Sequence, residues 1–279
     1  MNREHVIVQM LLRSWPFPHG GGAGLIVYRL FSGLQFSEDV VEVPTTDGFA
    51  MSVMPNEVIG REIYLTGQFD RSVVRILCKF ARPGDTLLDV GANIGYVSAC
   101  FLAKVAGSRV IAVEPQPGVL DLLRKNLAQF EGRHEVLPVA LSDRDGFCNF
   151  YINQRNRGAC RLVGDGERGH TLQVETWSVD RMMEFARPPR IDLVKLDTEG
   201  HEEQIISALE PVLREFRPRA VLFEDPFGKS APNRPIGAVL QSVGYDIFGL
   251  RKSLARLRLV PIRREADCVC TDYVALMRQ

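Results

Sequence analysis

Short-range cysteine pairing, long apolar runs and an excess of one charge are all missing from this chain. Its six cysteines, at positions 78, 100, 148, 160, 268 and 270, include no CxxC and no zinc-finger spacing. That disfavours a metal knuckle or a disulfide framework and favours free thiols in a reducing compartment. Cys268 and Cys270 form the one close pair, and alternate residues of a strand point to opposite faces. The 34 lysines and arginines balance the 34 aspartates and glutamates, so no global field draws nucleic acid or an anionic membrane. HVIVQMLL near the start is too short to span a bilayer and lacks the flanks of a signal peptide. A cytoplasmic location is therefore expected. Internal repeats and low-complexity tracts are absent as well.

What is present centres on LLDVGANIGYVS, residues 87–98. An apolar run over Thr86–Val90 carries a carboxylate at Asp89, a glycine turn runs from Gly91 to Gly95, and a second apolar segment follows. Strand, glycine loop and helix in that order form a site for a nucleotide-like ligand. Glycine admits close backbone approach, and the helix start offers unpaired N–H groups. A second apolar run, RVIAVEP, ends at Glu114, an acid suited to the two hydroxyls of a ribose. The loop lacks the second close glycine of G-x-G-x-x-G, and Asp89 would repel a pyrophosphate. The spacing thus favours a cationic or zwitterionic ligand such as S-adenosylmethionine, with a dinucleotide as the alternative.

Strand-like and helical segments alternate along the chain. Strands are expected at 86–90, 109–114 and 134–139, over LQVETWSV, IDLVKLD and AVLFED, and in a closing pair at YDIFGL and DYVALM. Helices are expected after Asp70 (which can cap one), at 94–106 and 118–130, over HEEQIISALEPVLREF with a kink at Pro211, and over PIGAVLQSVGY. This is an α/β pattern: a mostly parallel central sheet, helices on both faces and a C-terminal antiparallel strand pair. Residues 1–44 are expected to form a helical extension, packed on the domain or on a second copy in a homodimer. Residues 45–279 form the main domain. Ligands of such sheets bind at the carboxyl ends of the strands. That rule singles out Asp89, Glu114, Ser142 with Asp143, Asp197 and Glu224, each of which could otherwise merely cap the helix that follows.

LLDVGANIGYVS, VIAVEPQP, VALSD and IDLVKLDTEGHE, in this order, resemble the FkbM-like family of S-adenosylmethionine-dependent methyltransferases, over roughly residues 45 to 225. The resemblance implies a Rossmann-like class I methyltransferase fold. It implies that Asp89, Gly91, Asn93 and Gly95, with Ala92 and Tyr96 alongside, hold the methionine end of the cofactor. By the same resemblance Glu114 holds the ribose, Pro115 and Gln116 shape the turn beneath it, and Leu141, Ser142 and Asp143 lie beside the adenine. Asp70 stands where the family usually has glutamate, Asp272 where asparagine is common, and FEDP replaces a more usual ending of its strand. Family loops matching 153–170 vary, and Gly158 and Ala159 fall at a small-residue spot there.

Catalysis is expected from VKLDTEGHE. Methyl transfer needs an aligned acceptor and a place for its proton. Lys195 and Asp197 share a strand face, and Asp197 at the strand end is best placed to orient a hydroxyl. Glu199 is a second carboxylate. His201 is the obvious base by its ordinary pKa, or a solvated histidine at a helix start. Asp197, Glu199, His201 and Glu202 could together hold magnesium, but acids at a helix start are favoured without any ion, and no metal is expected. The acceptor is expected to be a small molecule or a saccharide, methylated on oxygen, with nitrogen as an alternative. A nicotinamide-dependent oxidoreductase is disfavoured by Asp89 and by the lack of a Tyr-x-x-x-Lys pair. A non-catalytic scaffold is the third reading. The basic segment 251–264 reads as a solvated surface or an acidic-partner site.

Overall fold

Four strands of this chain are apolar enough to be buried on both faces, and they build the centre of the molecule. The computed structural model describes residues 3–13, 34–152, 160–163, 170–253 and 256–278. Gly158, Ala159, WPFP, GGAG and most of loop 153–170 lie outside them.

The chain opens with α1 (Arg3–Arg13), β1 (Val41–Pro44), β2 (Ala50–Val53), α2 (Val58–Thr66) and α3 (Arg71–Phe80). Then come β3 (Thr86–Val90), α4 (Tyr96–Lys104), β4 (Arg109–Val113), α5 (Pro117–Leu127) and β5 (His134–Leu137). The strands β6 (Ala140–Ser142), β7 (Gly146–Tyr151), β8 (Arg161–Val163) and β9 (Thr171–Ser178) lead into α6 (Val179–Ala186). The last part comprises β10 (Leu193–Leu196), α7 (Glu202–Ala208), α8 (Glu210–Phe216), β11 (Ala220–Glu224), α9 (Pro235–Ser242), β12 (Tyr245–Lys252), β13 (Leu257–Pro261) and β14 (Asp272–Met277).

An eight-stranded sheet runs in the order β13-β12-β14-β11-β10-β3-β4-β5. Strands β5, β4, β3, β10 and β11 are parallel, while β14, β12 and β13 are antiparallel. The fold is thus the Rossmann-like α/β architecture read from the sequence. The closing antiparallel pair is β12 and β14, and β13 adds a third strand at the edge. Side-chain alternation divides the core between the two sheet faces. Leu87, Leu193, Ala220 and Leu222 face one apolar cluster, and Leu88, Val90, Val194, Leu196, Val221 and Phe223 face the other. The chain order reverses between β3 and β10, which opens a crevice at their carboxyl ends. At the opposite edge a buried ionic group joins the strands: Arg219 bonds Asp85, and Asp192 accepts from the Thr86 N–H at 2.9 Å.

Several local expectations change. Residues 134–139 do not make one strand. After β5 the chain leaves the main sheet, and β6 joins a separate four-stranded sheet, β6-β9-β7-β8. Asp70 precedes α3 but makes no side-chain cap, its backbone being left-handed at φ 38°. The long helix divides into α7 and α8, with Pro211 in the first turn of α8, because a proline nitrogen cannot continue the hydrogen-bond ladder. β1 pairs with β2, so the boundary expected between residues 44 and 45 falls inside a hairpin. α1 buries Val8 and Leu12, and His5 Nδ1 lies 3.2 Å from the Tyr64 hydroxyl on α2. In the basic segment, Arg251, Arg256, Arg258, Arg263 and Arg264 are exposed along and beyond the edge hairpin β12–β13. Among the described residues, no helix is long and apolar enough to cross a membrane.

Candidate active site

The loop after β3 is fixed from both sides by backbone bonds. The N–H groups of Gly91 and Ala92 both donate to the Val113 carbonyl on β4, and the Asp197 N–H donates to the Val90 carbonyl. Gly91 has φ +75°, and a Cβ there would lie 1.9 Å from the Asp197 carbonyl oxygen. Only glycine fits. Gly95, also left-handed, serves another purpose, since a Cβ there would meet Leu123 of α5 at 2.7 Å. It permits helix packing and does not line the cavity.

That cavity, about 400 Å³, follows the carboxyl ends of the strands. Its wall includes Gly91, Ala92, Asn93, Tyr96, Glu114, Pro115, Gln116, Leu141, Lys195, Asp197, Glu199 and His201. Glu114 is 5 % exposed and accepts the Asn93 N–H on one carboxylate oxygen and the Gln116 N–H on the other, each at 2.9 Å. Burial pushes its carboxyl up to about 7, although both N–H bonds oppose the rise. An ionised carboxylate has about four acceptor positions, so two N–H bonds leave capacity for a ligand diol. Beyond Glu114, Val113, Val139, Leu141, Phe150, Cys160 and Leu162 form an apolar slot, supplied largely by the second sheet. Tyr96 donates its hydroxyl to Asp47, and burial raises its pKa, which fixes it as a neutral wall.

Asp89 does not reach the cavity surface. It is fully buried beneath the loop, in direct register with Lys195 of β10 and on the same sheet face. Ser98 of α4 donates to one of its oxygens at 2.6 Å, and Lys195 Nζ lies 3.3 Å from the other. The same ammonium donates to the Gly91 carbonyl at 2.8 Å and lies 3.5 Å from Asp197. Burial alone would lower Lys195, but Asp89, Asp197 and Asp70 outweigh it and the pKa rises above the ordinary lysine value. Lys195 therefore stays an ammonium, hydrogen-bonded to the Gly91 carbonyl and ion-paired with Asp89 and Asp197, and it cannot act as a base.

Ser142 and Asp143 also lie outside the wall. The Ser142 hydroxyl donates to Asp143 at 3.1 Å and lies 3.0 Å from His201 Nε2. With the Ser142 hydroxyl donating to Asp143, its oxygen accepts from His201 in the tautomer that carries the proton on Nε2. Burial lowers the His201 pKa, against the opposing charge of Asp143, so the ring is neutral near pH 7. Glu202, expected in a magnesium set, is turned inward and accepts from the Thr198 N–H at 2.7 Å and the Gly200 N–H at 3.0 Å. It shapes the turn that holds Glu199 at φ 56°. Oxygens of Asp197, Glu199 and Glu224 lie within 4.8 Å of one another instead.

The site also contains residues to which the sequence reading gave no role. Asp70, Glu224, Leu250, Lys252 and Asp272 line the far end. Glu224 could have been assigned by the strand-end rule that singled it out. Asp272 and Lys252 could not, because they arrive through antiparallel pairing: Asp272 is the ladder partner of Glu224, and Lys252 lies 2.8 Å from Asp272.

The Methyltransferase FkbM domain family matches residues 89–247. Hexuronic acid methyltransferase AglP of Haloferax volcanii is 30% identical over 175 residues, covering 62% of this chain and 70% of its own. The 2-O-methyltransferase NoeI of Sinorhizobium fredii is 26% identical over 162 residues, covering 53% of this chain and 65% of its own. Methyltransferase sdnD of Sordaria araneosa is 24% identical over 264 residues, covering 81% of this chain and 97% of its own.

Proposed function

The chain belongs to the FkbM methyltransferase family, and from that premise we propose that it transfers a methyl group from S-adenosylmethionine to a hydroxyl of a small molecule or saccharide. The observation that carries this reading is Glu114: a buried carboxylate on the cavity wall, held by two backbone N–H groups beside the glycine loop. Its remaining lone pairs suit the two hydroxyls of a ribose, and the apolar slot next to it suits an adenine. Gly91, Ala92 and Asn93 bring backbone close to the amino-acid part of the cofactor. Bound there, S-adenosylmethionine supplies an electrophilic methyl carbon on a sulfonium. Names of two relatives, a hexuronic acid methyltransferase and a 2-O-methyltransferase, support a saccharide hydroxyl as acceptor.

Asp197 is proposed as the residue that orients the acceptor hydroxyl and takes its proton. It is half-exposed at the end of β10, and Lys195 steadies its charge from 3.5 Å. Lys195 on the wall and Asp89 beneath the loop act as positioning residues. Asp197→Asn keeps the shape and removes the acceptor of the proton. Turnover is expected to fall about 10²- to 10⁴-fold, followed by S-adenosylhomocysteine release over a panel of saccharides and polyketides. Unchanged turnover would move the proton acceptor elsewhere.

Calorimetric titration with S-adenosylhomocysteine, beside NAD and NADP, tests the cofactor. Micromolar binding of the first alone is expected, and binding of a dinucleotide would overturn the assignment. Glu114→Ala is expected to weaken that binding about 100-fold, the loss of two charge-assisted hydrogen bonds. The pH dependence has a definite sign. A diol donates to the ionised carboxylate, and free Glu114 titrates at about 7. Affinity should rise with pH through that value and level off above it, and Glu114→Gln should flatten the profile. A flat profile in the native protein would remove Glu114 from the ribose site.

A further inference from the structure

The cavity is much more acidic at its far end than one hydroxyl acceptor requires. Asp70, Asp197, Glu199, Glu224 and Asp272 line it from separate stretches of the chain. Its two lysines are already engaged. Lys195 is shared among Asp89, Asp197 and the Gly91 carbonyl, and Lys252 is paired with Asp272 at 2.8 Å. Arg161 of β8 offsets Glu199 from a distance, its guanidinium lying 5.1 Å from the Tyr151 ring centroid.

The carboxylates of Asp70 and Glu224 have neither a hydrogen bond nor an ion pair among the described residues, in contrast to Asp89, Asp272 and Glu114. Asp70 sits deep in the wall, where burial and then the charges of Asp272 and Asp197 push it up to about 6 against the pull of Lys252 and Lys195. Burial and four neighbouring acids push Glu224 up to about 8. Lys252 acts on both from a distance but is in contact with Asp272, and no cation among the described residues forms an ion pair with either.

We propose that the far end of the cavity binds an acceptor of the amino-sugar class, with a protonated amine held by Glu224 and Asp70 while a hydroxyl of the same molecule meets Asp197. The assignment rests on the methyltransferase reading above and narrows its acceptor. An amine held as an ammonium has no free lone pair, so the methyl group goes to oxygen. A hexuronic acid would add one more anion to a wall already short of cations. A divalent ion is the competing occupant, since oxygens of Asp197, Glu199 and Glu224 lie within 4.8 Å of one another, but the Lys195 ammonium 3.5 Å from Asp197 already meets one of the three.

Calorimetry on the full chain, first saturated with S-adenosylhomocysteine, tests this with methyl α-D-glucosaminide, methyl α-D-glucoside, methyl α-D-glucuronide and magnesium chloride. Failure to saturate would defeat the methyltransferase reading itself. Given saturation, the glucosaminide is expected to bind at least about tenfold tighter than the glucoside, with no detectable binding of the glucuronide. Glucosaminide binding at pH 7 should release protons, seen as heats that vary with the ionisation enthalpy of the buffer, because the cation restores the charge of Glu224. Glu224→Gln and Asp70→Asn should each lose most of the amine preference, and retained S-adenosylhomocysteine binding shows that the variants fold. Equal binding of glucosaminide and glucoside, preference for the glucuronide, no glucosaminide binding, or saturable magnesium binding in its place would each overturn the proposal.

Discussion

Gly91→Ala is expected to unfold the site and to lower the stability of the whole domain. The added Cβ would meet the Asp197 carbonyl oxygen at 1.9 Å, well inside contact distance. Neither side can retreat easily. Gly91 and Ala92 are tied to Val113, and Asp197 is tied to Val90, so relief requires separating β3 from β10. The left-handed backbone at φ +75° adds its own penalty for any residue with a Cβ. Strain of about 1–2 kcal/mol from the conformation and about 1–3 kcal/mol from overpacking gives a loss near 3 kcal/mol. For a chain of this size that corresponds to a fall in melting temperature of roughly 5 °C. Because Asn93 holds Glu114, S-adenosylhomocysteine affinity should fall with it. A variant melting within about 2 °C of the native protein would show that the turn relaxes freely.

Lys195→Met should cost still more. Lys195 is 5 % exposed and Asp89 is fully buried, in register on adjacent parallel strands. The methionine fills much of the space but leaves Asp89 with a serine hydroxyl and no cation. Breaking a buried ion pair from one side typically costs about 3–5 kcal/mol, mostly the desolvation of the remaining charge. The double variant Lys195→Met/Asp89→Asn removes that charge while keeping an acceptor for Ser98. It should recover much of the loss, and a denaturation cycle on the four proteins measures the coupling. Additive losses in that cycle would mean that the two residues do not act as a pair. A further consequence concerns Asp197, which loses the ammonium 3.5 Å away. Turnover in the stable double variant should therefore stay below that of the native protein.

Both predictions concern residues that the sequence placed near the ligand, and the structure separates their tasks. The glycine loop and Glu114 were legible because each depends on local order: a strand, a turn that only glycine can make, and an acid at the end of the next strand. The same rule pointed to Asp197 and Glu224. It misplaced Asp89, Ser142 and Asp143, since a strand-end position does not tell whether a side chain turns toward the ligand or toward a neighbour. Asp89 faces Ser98 and Lys195, and Ser142 faces His201. Pairing with a residue about a hundred positions away leaves no local signature.

The sequence by itself determined the class of this protein. Apolar strands spaced by helices dictate a parallel sheet, and the glycine turn followed by an acid marks one wall of the cavity at the strand ends. Tertiary structure decided the far end of the cavity. The chain returns at β14 antiparallel between β11 and β12, which sets Asp272 beside Glu224 and brings Lys252 to Asp272. The charge balance of the cavity is therefore a property of strand order and register, and these depend on long-range packing that no short window of sequence encodes.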